Sequence, residues 1–231
     1  MKNILLQVTD VVATDSAGII IKNEESMNVM DLALKGGYML LPIVILSIIA
    51  VYLLIERYLT IKKARKFDPT FMARIKEMVL DGNIKGAESL CESANTPTAR
   101  MLSKGISRIG KPLKDIQVAV HNVGNLEVSK LEKGMALLAT ISGAAPMLGF
   151  LGTVTGMIKT FYTLSQNADS VDVGDFSGGI YEAMITTVGG LIVGIFAYIS
   201  YNILTSMIDK VIYRMESTSM EFLDILHEPM S

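Results

Sequence analysis

The chain has 231 residues, of which 50% are hydrophobic, and a formal net charge of −2. Its mean hydropathy is +0.43, a value that favours a membrane protein over a water-soluble domain. The balanced charge offers no basic surface of the kind that binds nucleic acid, so we expect no nucleic-acid partner. The single cysteine, Cys91, excludes an internal disulfide framework.

The first 35 residues are too polar for a secretory signal peptide. Their apolar run is short and is interrupted by Gln7, Asp10 and Asp15. We predict that residues 1–35 form an amphipathic segment on the outer surface of the membrane.

Three windows without a charged residue follow, at residues 36–55, 134–158 and 183–208. Each is at least about 20 residues long, which is enough helix to cross a hydrocarbon core of about 30 Å. The sequence therefore predicts an all-α integral membrane protein with three transmembrane helices, at residues 36–59, 134–161 and 182–208. Helices buried in a soluble core are the alternative, which three windows of this length disfavour.

The charges beside these windows indicate the orientation of the chain. A basic run follows the first window, whereas the loop at residues 162–181 carries acidic residues and no basic ones. Because positive charge accumulates on cytoplasmic loops, we predict that the N-terminus lies outside and the C-terminus in the cytoplasm. We assign the basic run to topology and to contact with lipid headgroups; it comprises Arg57, Lys62, Lys63, Arg65 and Lys66.

Between the first two spans, residues 60–133 have the pattern of a small cytoplasmic bundle of helices. We predict helix starts at Asp68–Pro69 and at Pro97, and helix ends at Gly82 and Gly110.

Two helices are predicted to extend far beyond the membrane. From Pro112 to Thr160 we count only Pro146 as a helix breaker, so one long helix would contain the second span. The third span continues into residues 209–231 as a cytoplasmic helix with an apolar stripe. Such a stripe needs a partner, either the bundle or a neighbouring subunit.

Small residues recur four positions apart in the second and third spans. This spacing is typical of membrane helices whose backbones approach closely. We assign a packing role to Gly149, Gly152, Gly156, Gly190 and Gly194.

Two threonines lie at a depth that glycine packing does not explain. Thr153 precedes Lys159 by six positions and Thr187 follows Glu182 by five, so both lie roughly 8 to 9 Å inside the outer boundary. This layer could offer hydroxyls to an ion or to a carboxylate of another helix; alternatively, each hydroxyl bonds its own helix. Glu182 either stabilises the N-terminus of its helix or forms the mouth of a pore. The three windows contain no ionisable residue, so a proton relay would have to come from a partner.

A known family shares several segments of this chain. The chain resembles the MotA/TolQ/ExbB proton-channel family in GFLGTVTGMIKTF at Gly149 to Phe161 and in GGIYEAMITTVGGLIVGIFAYISYN at Gly178 to Asn202. The resemblance extends upstream through ERYLTIKKAR and GNIKGAESLCE. Three spans favour the ExbB/TolQ branch of the family, with ExbB as the nearer likeness.

The resemblance implies a homopentameric ring in the bacterial inner membrane, whose second and third spans line a central pore. A dimer of single-span ExbD- or TolR-like proteins would occupy the pore. Proton flow would then drive work on a TonB-like protein for nutrient import, or on a TolA-like protein for maintenance of the outer membrane.

The resemblance also implies roles for individual residues. The family's pore-facing threonines match Thr153 and Thr187, and its glutamate at the mouth of the third span matches Glu182. Many relatives carry proline where this chain has Phe196, so a kink at that point is not carried over.

Two other functions fit the sequence less well. A solute transporter or receptor would show inverted repeats or midplane charges, and the chain shows neither. An ATP-driven enzyme is suggested by GISRIGKP at Gly105 to Pro112, but Pro112 replaces the hydroxyl residue of a phosphate-binding loop. His121 and His227 are isolated from one another, so we expect no metal, no cofactor and no enzymatic activity.

Overall fold

The computed structural model describes residues 37–65, 68, 70–166 and 173–227, and these residues form α-helices and short turns. The helices are α1 (Leu40–Ala64), α2 (Phe71–Leu80), α3 (Ile84–Ala94), α4 (Pro97–Ile106), α5 (Leu113–Glu132), α6 (Met135–Gln166) and α7 (Val173–His227). The predicted amphipathic segment at residues 1–35 lies outside the described residues.

Among the described residues, three stretches of helix are long and apolar enough to cross a membrane, which confirms the three predicted spans. They are Leu40–Ala64, Leu113–Gln166 and Phe176–His227. The first span is α1, the second is the apolar part of α6, and the third is the apolar part of α7. The chain is therefore an all-helical, multi-pass membrane protein by the length and composition of its helices.

The stretch that contains the second span consists of two helices, α5 and α6, whereas the sequence predicts one long helix. Lys133 has an extended backbone with ψ 128°, and Gly134 adopts φ +82°, so α5 ends and α6 begins there. Only glycine takes this left-handed conformation without a steric penalty. Pro146, the helix breaker expected from the sequence, lies inside α6, and the helix continues through it.

The third span extends far beyond its apolar window, because α7 runs for 55 residues without a break. Its C-terminal half carries the apolar stripe. Four apolar residues of this stripe are buried within the chain: Ile208, Val211, Met215 and Phe222. The partner of the stripe is therefore the bundle of the same chain.

The bundle consists of α2 to α5 packed on one another and on α7. Pro97 occupies the first turn of α4, and the Thr96 hydroxyl accepts a hydrogen bond from the Ala99 N–H at 3.2 Å. Packing is close at Gly105, where a Cβ would lie 2.5 Å from the ring of Phe222 and 2.7 Å from Val120. This contact joins α4 and α5 to α7.

Cys91 is fully buried in the core of this bundle. Burial, with a smaller contribution from Glu88, raises the pKa of its thiol to about 12. The thiol is therefore protonated and unreactive in the folded chain.

Candidate functional site

The candidate site is built on α6 and α7, which meet backbone to backbone at two glycines. A Cβ on Gly149 would lie 2.9 Å from the Thr186 carbonyl oxygen and 3.1 Å from the Thr187 Cα. A Cβ on Gly190 would lie 2.5 Å from the Ala145 carbonyl oxygen and 2.9 Å from the Gly149 Cα. No side chain larger than hydrogen fits at either position without separating the helices.

The other three predicted packing glycines also face the opposite helix. Gly152 faces the Thr186 side chain, and a Cβ on Gly156 would lie 2.8 Å from that of Ala183. Gly194 receives the ring of Pro146, so the proline inside α6 packs where α7 has no side chain. We call this row of contacts the glycine seam.

Sequence reasoning missed two buried threonines of the seam. Thr186 packs on Gly152, and Thr160 packs on Gly179. Each donates its hydroxyl to a carbonyl of its own helix: Thr186 to Ala183 at 2.7 Å and Thr160 to Gly156 at 2.9 Å. The signal was present, because both residues continue the small-residue spacing of the glycines.

The two threonines that the sequence singled out make different hydrogen bonds. Thr187 Oγ1 donates across the seam to the Gly149 carbonyl oxygen at 2.9 Å. Thr153 Oγ1 donates within α6 to the Phe150 carbonyl oxygen at 2.6 Å. The helices run antiparallel, with Gly152 opposite Thr186, so Thr153 and Thr187 lie at nearly the same level. Both side chains are half-buried, and each oxygen keeps lone pairs that can accept a further hydrogen bond.

Thr153 borders an apolar groove at the loop-proximal end of α6. The groove has a volume of about 500 Å³ and is also lined by Val154, Met157, Ile158 and Phe161. A hydroxyl beside such a surface suits contact with another apolar helix that carries a polar group at this depth.

Glu182 does not point along the seam. Its carboxylate lies directly against Gly37, just before α1 begins, and a Cβ on Gly37 would collide with Oε1. The side chain is half-buried at this contact. The third predicted site residue therefore faces the first span.

The predicted basic run divides into buried and exposed members. Arg57 is buried, pairs with Glu56 and donates from Nη1 to the Lys130 carbonyl oxygen at 3.1 Å. This placement differs from the assignment of Arg57 to a headgroup-facing run, because its guanidinium instead ties α1 to the last turn of α5. Lys62, Lys63 and Arg65 are exposed, whereas Lys66 lies outside the described residues.

A second buried charge stabilises α5 against α4. The Glu127 side chain is 4% exposed, and its carboxylate accepts hydrogen bonds from Arg100 at 2.5 Å and Lys130 at 2.6 Å. The contacts of Arg57 and Glu127 both involve the end of α5, directly before the break at Gly134.

Comparison with known proteins gives one family and several relatives. Residues 93–217 match the MotA/TolQ/ExbB proton channel family. The chain is 28% identical over 185 residues to an ExbB-like biopolymer transport protein of Synechocystis sp., covering 79% of this chain and 73% of that one.

Two further relatives have names from the two subgroups. The Tol-Pal system protein TolQ of Haemophilus influenzae is 29% identical over 216 residues, covering 87% of this chain and 94% of its own length. The biopolymer transport protein ExbB of Xanthomonas campestris is 36% identical over 110 residues, covering 46% and 42%.

Proposed function

Because the chain belongs to the MotA/TolQ/ExbB proton channel family, we propose that it is the pore-forming subunit of a proton-driven motor in the bacterial inner membrane. Five copies would form a ring in which α6 and α7 of each copy line a central pore. The family is a proton channel family, so transport is the activity that we assign to the hydroxyls of the seam.

The observation that carries the proposal is the hydroxyl layer of Thr153 and Thr187 on the glycine seam. Thr187 is fixed by its bond to Gly149, and the close approach of the two backbones holds Thr153 at the same level. Because each hydroxyl already donates its single proton to a backbone carbonyl, its oxygen can accept a hydrogen bond from a protonated carboxylic acid, and it could donate to a carboxylate only by giving up that backbone bond.

The ionisable group itself is assigned to a partner. The apolar windows of the chain contain no titratable carboxylate, lysine or histidine, and proton transfer through a membrane needs such a group. A dimer of ExbD- or TolR-like single-span helices, each with an intramembrane aspartate, would supply it from inside the ring. The groove beside Thr153 provides an apolar surface for such a helix.

We orient the chain with its N-terminus in the periplasm and the α2–α5 bundle in the cytoplasm. The exposed Lys62, Lys63 and Arg65 follow α1 and support this orientation through the positive-inside rule. The same cations are positioned to contact anionic headgroups.

The work of the motor would act on a TonB-like protein for nutrient import across the outer membrane. The relatives from Synechocystis and Xanthomonas, whose names refer to biopolymer transport, favour this client. The alternative client is a TolA-like protein, which is favoured by the TolQ relative that matches along nearly its whole length.

Native mass spectrometry of the full chain in mild detergent tests the assembly. The chain has a mass of 25.1 kDa, so a pentamer gives about five times that mass. A stable monomer or dimer would contradict the ring and favour a transporter or receptor.

Proton flux in inverted vesicles from host cells tests the hydroxyl layer. Thr153→Val combined with Thr187→Val removes both hydroxyls with little change in shape, and we expect flux to fall at least about fivefold, the equivalent of one net hydrogen bond. The matched control is Thr140→Val, because Thr140 is exposed and donates only to the Ala136 carbonyl of its own helix at 2.9 Å. Equal flux in the double variant and the control would remove the assignment.

A further inference from the structure

The first span, α1, is the least embedded of the three within the chain. Only 17% of its apolar window is buried, against 28% and 39% for the second and third spans. Lipid is as apolar as the helix surface, so apolar contact alone does little to fix where α1 sits along its neighbours. Polar contacts at its ends therefore have a large share in setting its depth.

Both ends of α1 meet a charged side chain of α7. At the N-terminal end, the Glu182 carboxylate lies against Gly37. At the C-terminal end, Arg214 Nη1 donates to the carbonyl oxygen of Arg65, the C-cap residue, at 3.4 Å. A helix carries partial positive charge at its N-terminus and partial negative charge at its C-terminus, so each charge sits at the end that attracts it.

Helix α1 does not supply these charges at its own N-terminus. Its first turn contains no acidic residue, and the N-cap residue Met39 makes no side-chain capping bond in the described part of the chain. The carboxylate that complements this end comes from α7, which lies far away in the sequence.

The spacing of the two charges matches the length of α1. The helices run parallel in one register: Leu40 contacts Gly189 and Arg65 contacts Arg214, both with the same offset along the chain. The rise from Glu182 to Arg214 along α7 is about 48 Å, and the rise from Gly37 to Arg65 along α1 is about 42 Å. The two charged residues of α7 are therefore far enough apart to reach both ends of α1.

We propose that Glu182 and Arg214 form an electrostatic clamp that fixes the depth and register of α1 on α7. Glu182 thereby acts as a positioning residue for the first span. The clamp consists of contacts within one chain, so its tests do not depend on the number of subunits or on proton flow.

A disulfide between the two N-terminal contact positions tests the geometry. The Glu182 Cγ lies 3.4 Å from the Cβ position of Gly37, so the sulfur of a cysteine at 182 would lie near a cysteine at 37, which the backbone there accepts with strain because Gly37 has φ +61°. In native membranes treated with an oxidant, we expect Gly37→Cys combined with Glu182→Cys to form an intrachain bond in more than about half of the chains. Cys91 stays in place, because it is buried.

The matched control replaces Met184, which is 61% exposed on another face of α7. Gly37→Cys combined with Met184→Cys should give little intrachain bond, in a background that also carries Glu182→Ala so that no carboxylate collides with the new Cβ at position 37. Equal yields in the two pairs, or a disulfide-linked dimer from the Glu182 pair, would overturn the proposal, since Glu182 would then face a neighbouring chain or an open pore.

Hydrogen exchange tests whether the charges hold the helix. We expect Glu182→Gln to speed exchange of the amides at residues 38–41 about three- to tenfold, and Arg214→Gln to do the same at residues 61–65. Arg214→Lys should restore protection, because it retains the charge. Glu216→Gln, at an exposed acid on the same helix, should change neither end. Unchanged exchange in both Gln variants would overturn the clamp.

Discussion

Alanine at Gly190 is the most informative test of the glycine seam. Its Cβ would lie 2.5 Å from the Ala145 carbonyl oxygen, 2.9 Å from the Gly149 Cα and 3.1 Å from the Gly149 nitrogen. All three are backbone atoms, so no side chain can rotate away, and the cost lies at the upper end of overpacking, about 3 kcal/mol. The higher helix propensity of alanine returns about 1 kcal/mol. We therefore expect Gly190→Ala to lower the free energy of unfolding by about 2 kcal/mol.

Gly143→Ala is the matched control in the same helix pair. No described atom lies within 4 Å of its Cβ position, so alanine there keeps only the propensity gain of about 1 kcal/mol. The assay is unfolding of the full chain by sodium dodecyl sulfate, followed by far-ultraviolet circular dichroism. Equal stability of the two alanine variants would refute the conclusion that α6 and α7 touch backbone to backbone.

Two further predictions concern the bundle. Glu127→Gln should lower the free energy of unfolding by about 1 to 2 kcal/mol. The effect is smaller than for a fully buried pair, because the side chains of Arg100 and Lys130 are 41% and 67% exposed. An unchanged thermal unfolding curve would contradict this prediction. Cys91, with its pKa raised to about 12 by burial, should resist a maleimide at about pH 8 until the bundle unfolds; mass spectrometry of the labelled chain checks this, and rapid labelling of the folded chain would count against it.

The three spans could be predicted from the sequence because their signal is local. Each window lacks charge over a length that only a membrane or a large core explains. The start of α4 at Pro97 was predictable for the same reason, since its cap and its proline are neighbours in the chain.

The break at Gly134 could not be predicted, because some glycines of this chain lie inside a helix and others end one. Gly149 and Gly152 lie inside α6 and keep it helical, whereas Gly134 adopts the left-handed conformation and ends a helix. Composition does not distinguish these cases. What differs is the tertiary surroundings: Gly149 meets the backbone of α7, while the Cβ position of Gly134 meets only a side-chain atom of Leu53.

The site was only partly accessible to sequence reasoning. The sequence predicts that Thr153 and Thr187 lie at the same depth in the membrane, because each is five or six residues from the nearest charge. In the structure, the contacts of the glycine seam put the two residues at nearly the same level. The contact of Glu182 could not be found in this way, because Gly37 is far from it along the chain. A carboxylate at a helix start is compatible with a pore mouth and with a contact to another helix, and its proximity to Gly37 depends on how α1 packs.

The unbroken course of α7 has a mechanical consequence. Its 55 residues give a contour length of about 80 Å. Acting as a lever of that length, the helix would turn a tilt of about 3° at its apolar end into a displacement of about 4 Å at the far end, about three-quarters of the rise of one helical turn. The break at Lys133 and Gly134 separates α5 from α6, whereas α7 has no such break. Small movements among the spans would thus reach the bundle amplified through α7.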